Sequence, residues 1–183
     1  MKMKLYIKEL IKDINVGAIT STSYQVVKKL TEKINFIEAN IIVEYGPGNG
    51  VITKILLENM NCDADLYVFE TNMDFVNNLC KIKDARLFII NDDAANAKKI
   101  LKNMYNIKKV DYIISTIPFT LIEKRKRRRI IYKSFSLLND KGRFITYQYS
   151  LLIYNLVKRQ FKNVKWKFVL FNLPPVIIID GIK

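Results

Sequence analysis

Three glycines and two glutamates are spaced where chemistry on a nucleotide-like ligand would need them. Residues 41–50 read Ile-Ile-Val-Glu-Tyr-Gly-Pro-Gly-Asn-Gly and run into the apolar-periodic stretch Val51 to Leu57. Apolar β-formers closed by Glu44, then glycines at 46, 48 and 50, then helical periodicity, predict a buried parallel strand, a tight loop and a helix. Glycine is needed where backbone approaches a ligand closely or takes a positive φ, and the helix start beyond offers free N–H groups to a polar or anionic ligand part. The third glycine comes one residue earlier than in the dinucleotide loop G-x-G-x-x-G, so a pyrophosphate is not the expected occupant. A second strand, Asp65 to Glu70, ends in an acid twenty residues after Gly50. An acid there can accept hydrogen bonds from both ribose hydroxyls of an adenosyl group.

These residues need a frame that brings strand ends together. The periodicity predicts a helix from Tyr24 to Lys33, a helix capped by Asn72, a strand from Arg86 to Asn91 running into Asp92-Asp93-Ala94, and a helix from about Ala94 to Met104. A fourth strand, Val110 to Ser115, is followed by Thr116-Ile117-Pro118-Phe119. A helical pattern from Leu121 to Leu138 contains Lys124, Arg125, Lys126, Arg127, Arg128 and Arg129, the densest charge block in the chain. After the turn signal Asn139 to Gly142 come a strand from Arg143 to Ser150, a helical stretch from Leu151 to Phe161, and two last strands, Val164 to Leu170 and Val176 to Ile179. Alternation of this kind predicts an α/β fold: a seven-stranded, mainly parallel sheet with an antiparallel last strand and helices on both faces. In such sheets ligands bind beyond the carboxyl ends of the strands, near the switch point between the first and fourth.

With 183 residues, half of them hydrophobic, the chain is expected to form one domain over 1–183. Residues 1–15 pattern as an amphipathic helix with Met3, Tyr6, Ile7, Leu10, Ile11 and Ile14 on one side and lysines opposite. Such a helix can lie in a membrane interface or pack on the domain. The sequence contains no membrane-length apolar run and no signal-peptide core at its start, so a cytoplasmic protein, soluble or peripheral on the inner face of the cell membrane, is expected. Histidine is absent, which excludes a histidine base, a Ser-His-Asp triad and zinc sites of the His-rich kinds, and Cys62 and Cys80 lack metal-ligand spacing, so no metal site is expected. The formal charge of +14 favours an anionic partner, membrane surface or nucleic acid, although a Lys-rich composition alone would produce much of it.

Glu44-Tyr45-Gly46-Pro47-Gly48-Asn49-Gly50 resembles motif I, and Glu70 motif II, of the Rossmann-like methyltransferases that use S-adenosylmethionine. The resemblance implies that the loop underlies the methionine part of the cofactor and that Asp93-Ala94, or Asp92 instead, reads the adenine amino group. It assigns Glu44, Tyr45, Gly46, Gly48, Gly50, Glu70, Thr71, Asp92, Asp93, Ala94 and Ser115 to the cofactor. The loop after the fourth strand should hold the methyl acceptor through Thr116, Ile117, Pro118 and Phe119. Enzymes of this kind that act on nucleobase amino groups carry Asn, Asp or Ser at the position of Thr116, which counts against adenine.

Val16-Gly17-Ala18-Ile19, Ser115-Thr116-Ile117-Pro118-Phe119, Tyr147-Gln148-Tyr149-Ser150 and Asn172-Leu173-Pro174-Pro175-Val176 together resemble the soluble bacterial and archaeal phospholipid N-methyltransferases. That likeness implies methylation of the ethanolamine headgroup of phosphatidylethanolamine. Partners would be an anionic membrane surface, met by the N-terminal helix and by Lys124 to Arg129, and the phospholipid substrate. Tyr147 and Tyr149 join the acceptor side as aromatic faces for a methylated cation, and Tyr149 is one route for the ammonium proton, beside water and the lipid phosphate. The alternative is an enzyme like the ribosomal-RNA adenine dimethyltransferases, whose acceptor loop resembles Asn-Ile-Pro-Tyr and which add a C-terminal helical domain; the last expected strand here lies close to Lys183. A non-catalytic lipid- or RNA-binding member of the fold, and a nicotinamide dehydrogenase, stand behind it.

Overall fold

The structure is a computed structural model that describes residues 24–169 and 175–183. The predicted N-terminal helix, the Gly17-Ala18 segment and most of Asn172 to Pro175 lie outside the described residues. Helix α1 spans Tyr24–Thr31, strand β1 Ile41–Tyr45, α2 Val51–Asn59, β2 Asp65–Phe69, α3 Met73–Leu79 and β3 Leu87–Ile90. A 3-10 turn at Ala94–Asn96 leads into α4, Ala97–Tyr105, and then β4, Val110–Ser115. After a second 3-10 turn at Phe119–Leu121 come α5 (Lys124–Leu137), β5 (Leu138–Gln148), α6 (Tyr154–Gln160), β6 (Asn163–Val169) and β7 (Val176–Ile182).

The seven strands form one sheet in the order β3-β2-β1-β4-β5-β7-β6. The first five pair in parallel, and β7 lies antiparallel to both β5 and β6. The chain order reverses between β1 and β4, which makes their carboxyl ends the switch point where ligands of such sheets bind. Alternation along the strands divides two cores. Val43, Tyr45, Phe69, Ile113 and Phe144 face α4, α5 and α6 with Leu101, Ile130, Ile131 and Val157. Ile42, Leu66, Val68, Ile114 and Ile145 face the other way, onto Val27 and Leu30 of α1, Ile52, Ile55 and Leu56 of α2 and Leu79 of α3. The helix-covered sheet and its antiparallel final strand match the expected architecture.

Two local expectations are corrected. The helix over 121–138 begins only at Lys124, because Phe119–Leu121 closes as a 3-10 turn and Ile122 and Glu123 take extended backbone. The turn at 139–142 does not separate strand from helix. It is an irregularity inside β5, where pairing jumps from Val110↔Leu138 to Tyr112↔Arg143 and Lys141 adopts φ 68°. On α5, Ile130, Ile131, Ser134 and Leu137 are buried, and Phe135 is half-buried against the same core. Arg143 locks the reversed strand: its guanidinium donates to both carboxylate oxygens of buried Asp180 on β7, at 3.1 and 2.8 Å, and to the Lys33 carbonyl.

Candidate active site

The loop after β1 carries three left-handed residues, with φ 70° at Gly46, 55° at Gly48 and 76° at Gly50, a region open to glycine and costly for L side chains. Gly46 is also pressed by the acceptor loop, since a Cβ there would meet Ile117 Cγ1 at 3.1 Å. Gly48 has nothing within 4 Å of where a Cβ would stand, so its outer side is open to an incoming group.

Glu70, at the end of β2, is almost fully buried and organises that loop. Its Oε2 accepts from the Gly48 N–H at 3.1 Å, and its Oε1 accepts from the Thr71 and Asn72 N–H groups at 2.8 and 2.9 Å. The expected ribose acid and the glycine loop are thus one unit, 22 residues apart in sequence. Its backbone also binds the next strand, with the Glu70 N–H on the Ile90 carbonyl and the Asn91 side chain on the Glu70 carbonyl.

Glu44 lies beneath, fully buried on the α2 side. Thr53 of α2 donates its hydroxyl to Glu44 Oε2 at 2.7 Å, while Oε1 has no partner. Burial, with a smaller push from Glu70 and against the Thr53 bond, raises the carboxyl to about 8. An unmet acidic oxygen at the end of the first strand fits a ligand that brings a cationic amino group, as S-adenosylmethionine does. Ser115 Oγ, at the end of β4 beside Tyr45, is a second buried atom without a partner.

Beyond β3, Asp92 accepts from the Asp93 N–H and from Asn96 Nδ2, and Asp93 caps the 3-10 turn by accepting from the Ala95 N–H at 2.8 Å. Asp93 also pairs with Lys126. The basic run therefore reaches the cofactor side: Arg129 donates to Asn96 and Lys133 to the Ala95 carbonyl. Lys133 is pulled below the usual ammonium range by burial and by the neighbouring Arg129, Lys98 and Lys99.

The acceptor loop is tied down at both ends. The Thr116 N–H donates to the Tyr45 carbonyl at 3.0 Å, and its hydroxyl donates to the Gly46 carbonyl. Gln148, buried at the end of β5, donates to the Ile117 carbonyl and to Thr146 Oγ1, both at 2.9 Å, and its Oε1 accepts from the Phe119 N–H at 3.2 Å. Tyr147 and Tyr149 flank Gln148 in the chain, edge to face at 6.5 Å, with Tyr149 exposed.

For two expected site residues the structure leaves the backbone, not the ring, beside the site. The Tyr45 ring turns into the core on the α5 side, edge to face with Phe69, and burial raises its phenol; only its backbone carbonyl meets the acceptor loop. The Phe119 ring is also fully buried, because the residue opens a 3-10 turn and joins the core with Tyr45 and Phe144. Gln148, Thr53 and Lys126 were missed as site-building residues. The signal for Gln148 was a polar side chain in phase with inward Phe144 and Thr146, and that for Thr53 a hydroxyl among the inward apolar positions of α2.

Comparison with known proteins agrees with this fold. The family described as ribosomal RNA adenine dimethylase matches residues 20–136, and the chain belongs to it. Fold and family together define a class I S-adenosylmethionine-dependent methyltransferase. The ornithine lipid N-methyltransferase of Singulisphaera acidiphila is 24% identical over 163 residues, covering 87% of this chain and 84% of that protein. A ribosomal RNA small subunit methyltransferase of Christiangramia forsetii is 29% identical over 140 residues, 73% of this chain and 44% of that one. Among solved structures, the precorrin-6y C5,15-methyltransferase of Geobacter metallireducens superposes with a TM-score of 0.74 at 13% identity, covering 94% and 96% of the two chains. A T. thermophilus 16S rRNA methyltransferase in complex with AdoMet and guanosine gives 0.70 at 16% identity, over 93% of this chain and 45% of that one.

Proposed function

We propose that the chain N-methylates the amino headgroup of a membrane phospholipid, phosphatidylethanolamine first, acting peripherally at the inner face of the cell membrane. The observation that carries this reading is the acceptor loop. Phe119 is fully buried, the Thr116 hydroxyl points back to the Gly46 carbonyl, and Gln148 occupies the Ile117 carbonyl. The loop therefore offers neither an amide to grip a nucleobase edge nor a ring to stack on its face. A small aliphatic amine requires neither. The ornithine lipid relative, alike over most of both chains, supports the same class of acceptor.

Bound S-adenosylmethionine supplies a methyl group on an electrophilic sulfonium. Gly46, Gly48 and Gly50 would cradle its methionine part, Glu44 would face its amino group, Glu70 with Thr71 the ribose, and Asp92 or Asp93 with Ala94 the adenine. Ser115 and Thr116 would stand between cofactor and acceptor. Placement of an amine against such a centre can supply ~7 to 11 kcal/mol of the barrier in favourable cases. The attacking amine must be neutral, and the chain has no histidine to deprotonate it. Tyr149, exposed beyond β5, is our candidate for relaying that proton, and with Tyr147 it offers ring faces to the methylated cation. Replacing Tyr149 by Phe should lower turnover several-fold; unchanged turnover would leave the proton to water or to the lipid phosphate.

A second reading, methylation of a ribosomal RNA base, is favoured by the six consecutive bases that open α5 and by the family to which the chain belongs. Transfer of labelled methyl to phosphatidylethanolamine vesicles and to ribosomal RNA, assayed in parallel, separates them. Label in the lipid is the expected result. Label in RNA alone would overturn the proposal, and cofactor binding without transfer to either would point to a non-catalytic member.

A further inference from the structure

Exposed apolar side chains scattered singly carry no meaning, but four of those among the described residues gather on one edge of the sheet. Leu121 (79% exposed) follows the acceptor loop out of β4, Leu151 and Leu152 (40% and 48%) follow β5, and Phe168 (55%) stands near the end of β6. Because β7 is antiparallel to both neighbours, β5 and β6 run the same way as β4, and all four residues crown its carboxyl edge. Phe168 and Gln148 both pair with Ile177, which sets Phe168 level with the residue that clamps the acceptor loop. The charge pattern follows the same edge. No charged residue occurs from Tyr147 to Val157, while Lys124 and Arg125 open α5 three residues after Leu121 and Lys167 adjoins Phe168. Glu123 is the acid among them.

We propose that this rim is a membrane-docking face. Leu121, Leu151, Leu152 and Phe168 enter the acyl boundary of an anionic bilayer, and Lys124, Arg125 and Lys167 lie at headgroup level. The proposal rests on the lipid-acceptor reading and adds the face that meets the lipid. A phospholipid amine sits at the interface, and drawing the whole lipid into water would expose its chains; a loop ringed by leucines can instead be lowered onto the headgroup. Bases beside the rim complement anionic lipid. The same bases, on a chain of net +14, oppose a second copy as the occupant.

The test is sedimentation of the full chain with vesicles of phosphatidylcholine alone and of phosphatidylcholine with phosphatidylglycerol. Neither contains a headgroup amine that can be methylated, so the result is independent of turnover. Wild type should bind the anionic vesicles preferentially. The combined Leu121→Ser, Leu151→Ser and Leu152→Ser variant should lose about tenfold in vesicle affinity while keeping its melting temperature and cofactor binding. Met104→Ser, an exposed apolar residue at the end of α4, should bind as wild type. Equal vesicle binding by the triple variant and wild type would overturn the proposal. So would a wild-type dimer that ignores vesicles and that the triple substitution dissociates. Docking through the rim without methylation of phosphatidylethanolamine would refute the assigned acceptor and leave the docking face standing.

Discussion

The two sides of the switch point are held by opposite means. On the cofactor side, β1 to β3, buried carboxylates do the holding: Glu70 accepts three backbone N–H groups and Glu44 a hydroxyl. On the acceptor side, β4 and β5, the work is done by neutral donors, the Thr116 hydroxyl and the Gln148 amide, with exposed aromatic and aliphatic residues around them. Carboxylates gather N–H groups and attract a cationic, hydroxyl-bearing ligand, at the cost of burying charge. Neutral clamps hold a loop without adding charge next to an amine that must be deprotonated before it reacts. The difference shows why the two sides should fail differently.

The largest expected effect is on stability and concerns the carboxyl buried at Glu44, which the fold keeps protonated. Its carboxyl ionises near 4.5 in the unfolded chain and near 8 in the fold. Between those values the fold retains a proton that the unfolded chain releases, so stability falls as pH rises from about 4.5 to about 8. Glu44→Gln should therefore match wild type near pH 4 and exceed it by roughly 3 kcal/mol at pH 7, measured by thermal melts of the cofactor-free protein. Equal melting at pH 7 would mean that the orphan oxygen is satisfied. Next is Glu70→Ala, which removes the acceptor of three N–H groups; cofactor affinity should drop about a hundredfold or more, read by calorimetry. Gln148→Leu should be smaller and one-sided. With the acceptor loop loosened, kcat/KM for the acceptor should fall about tenfold while cofactor affinity stays unchanged. A matching loss of cofactor binding would erase the contrast between the two sides.

Much of the cofactor side was legible in the sequence because its signals are local. Alternate glycines after an apolar strand need no tertiary knowledge, and an acid at the end of the next strand falls at a fixed distance. The acceptor side was less legible. Phe119 reads as an aromatic after a proline, and only the 3-10 turn that buries it removes it from the surface. The start of α5 moved for the same reason. The turn signal at 139–142 was correctly seen as irregular backbone, but pairing of β4 with both flanks kept it inside one strand.

The sequence by itself determined the element order, the glycine loop, the acid at position 70, the absence of histidine chemistry and the basic opening of α5, since each is written in residue type and spacing. Only the tertiary structure decided that Glu70 holds the Gly48 N–H, that Lys126 meets Asp93, that Gln148 clamps the acceptor loop, and that Leu121, Leu151, Leu152 and Phe168 share one edge. Those pairings join residues 22 to 33 positions apart, or strands out of chain order. Periodicity reports which face of its own element a side chain occupies, and packing alone sets what that face meets.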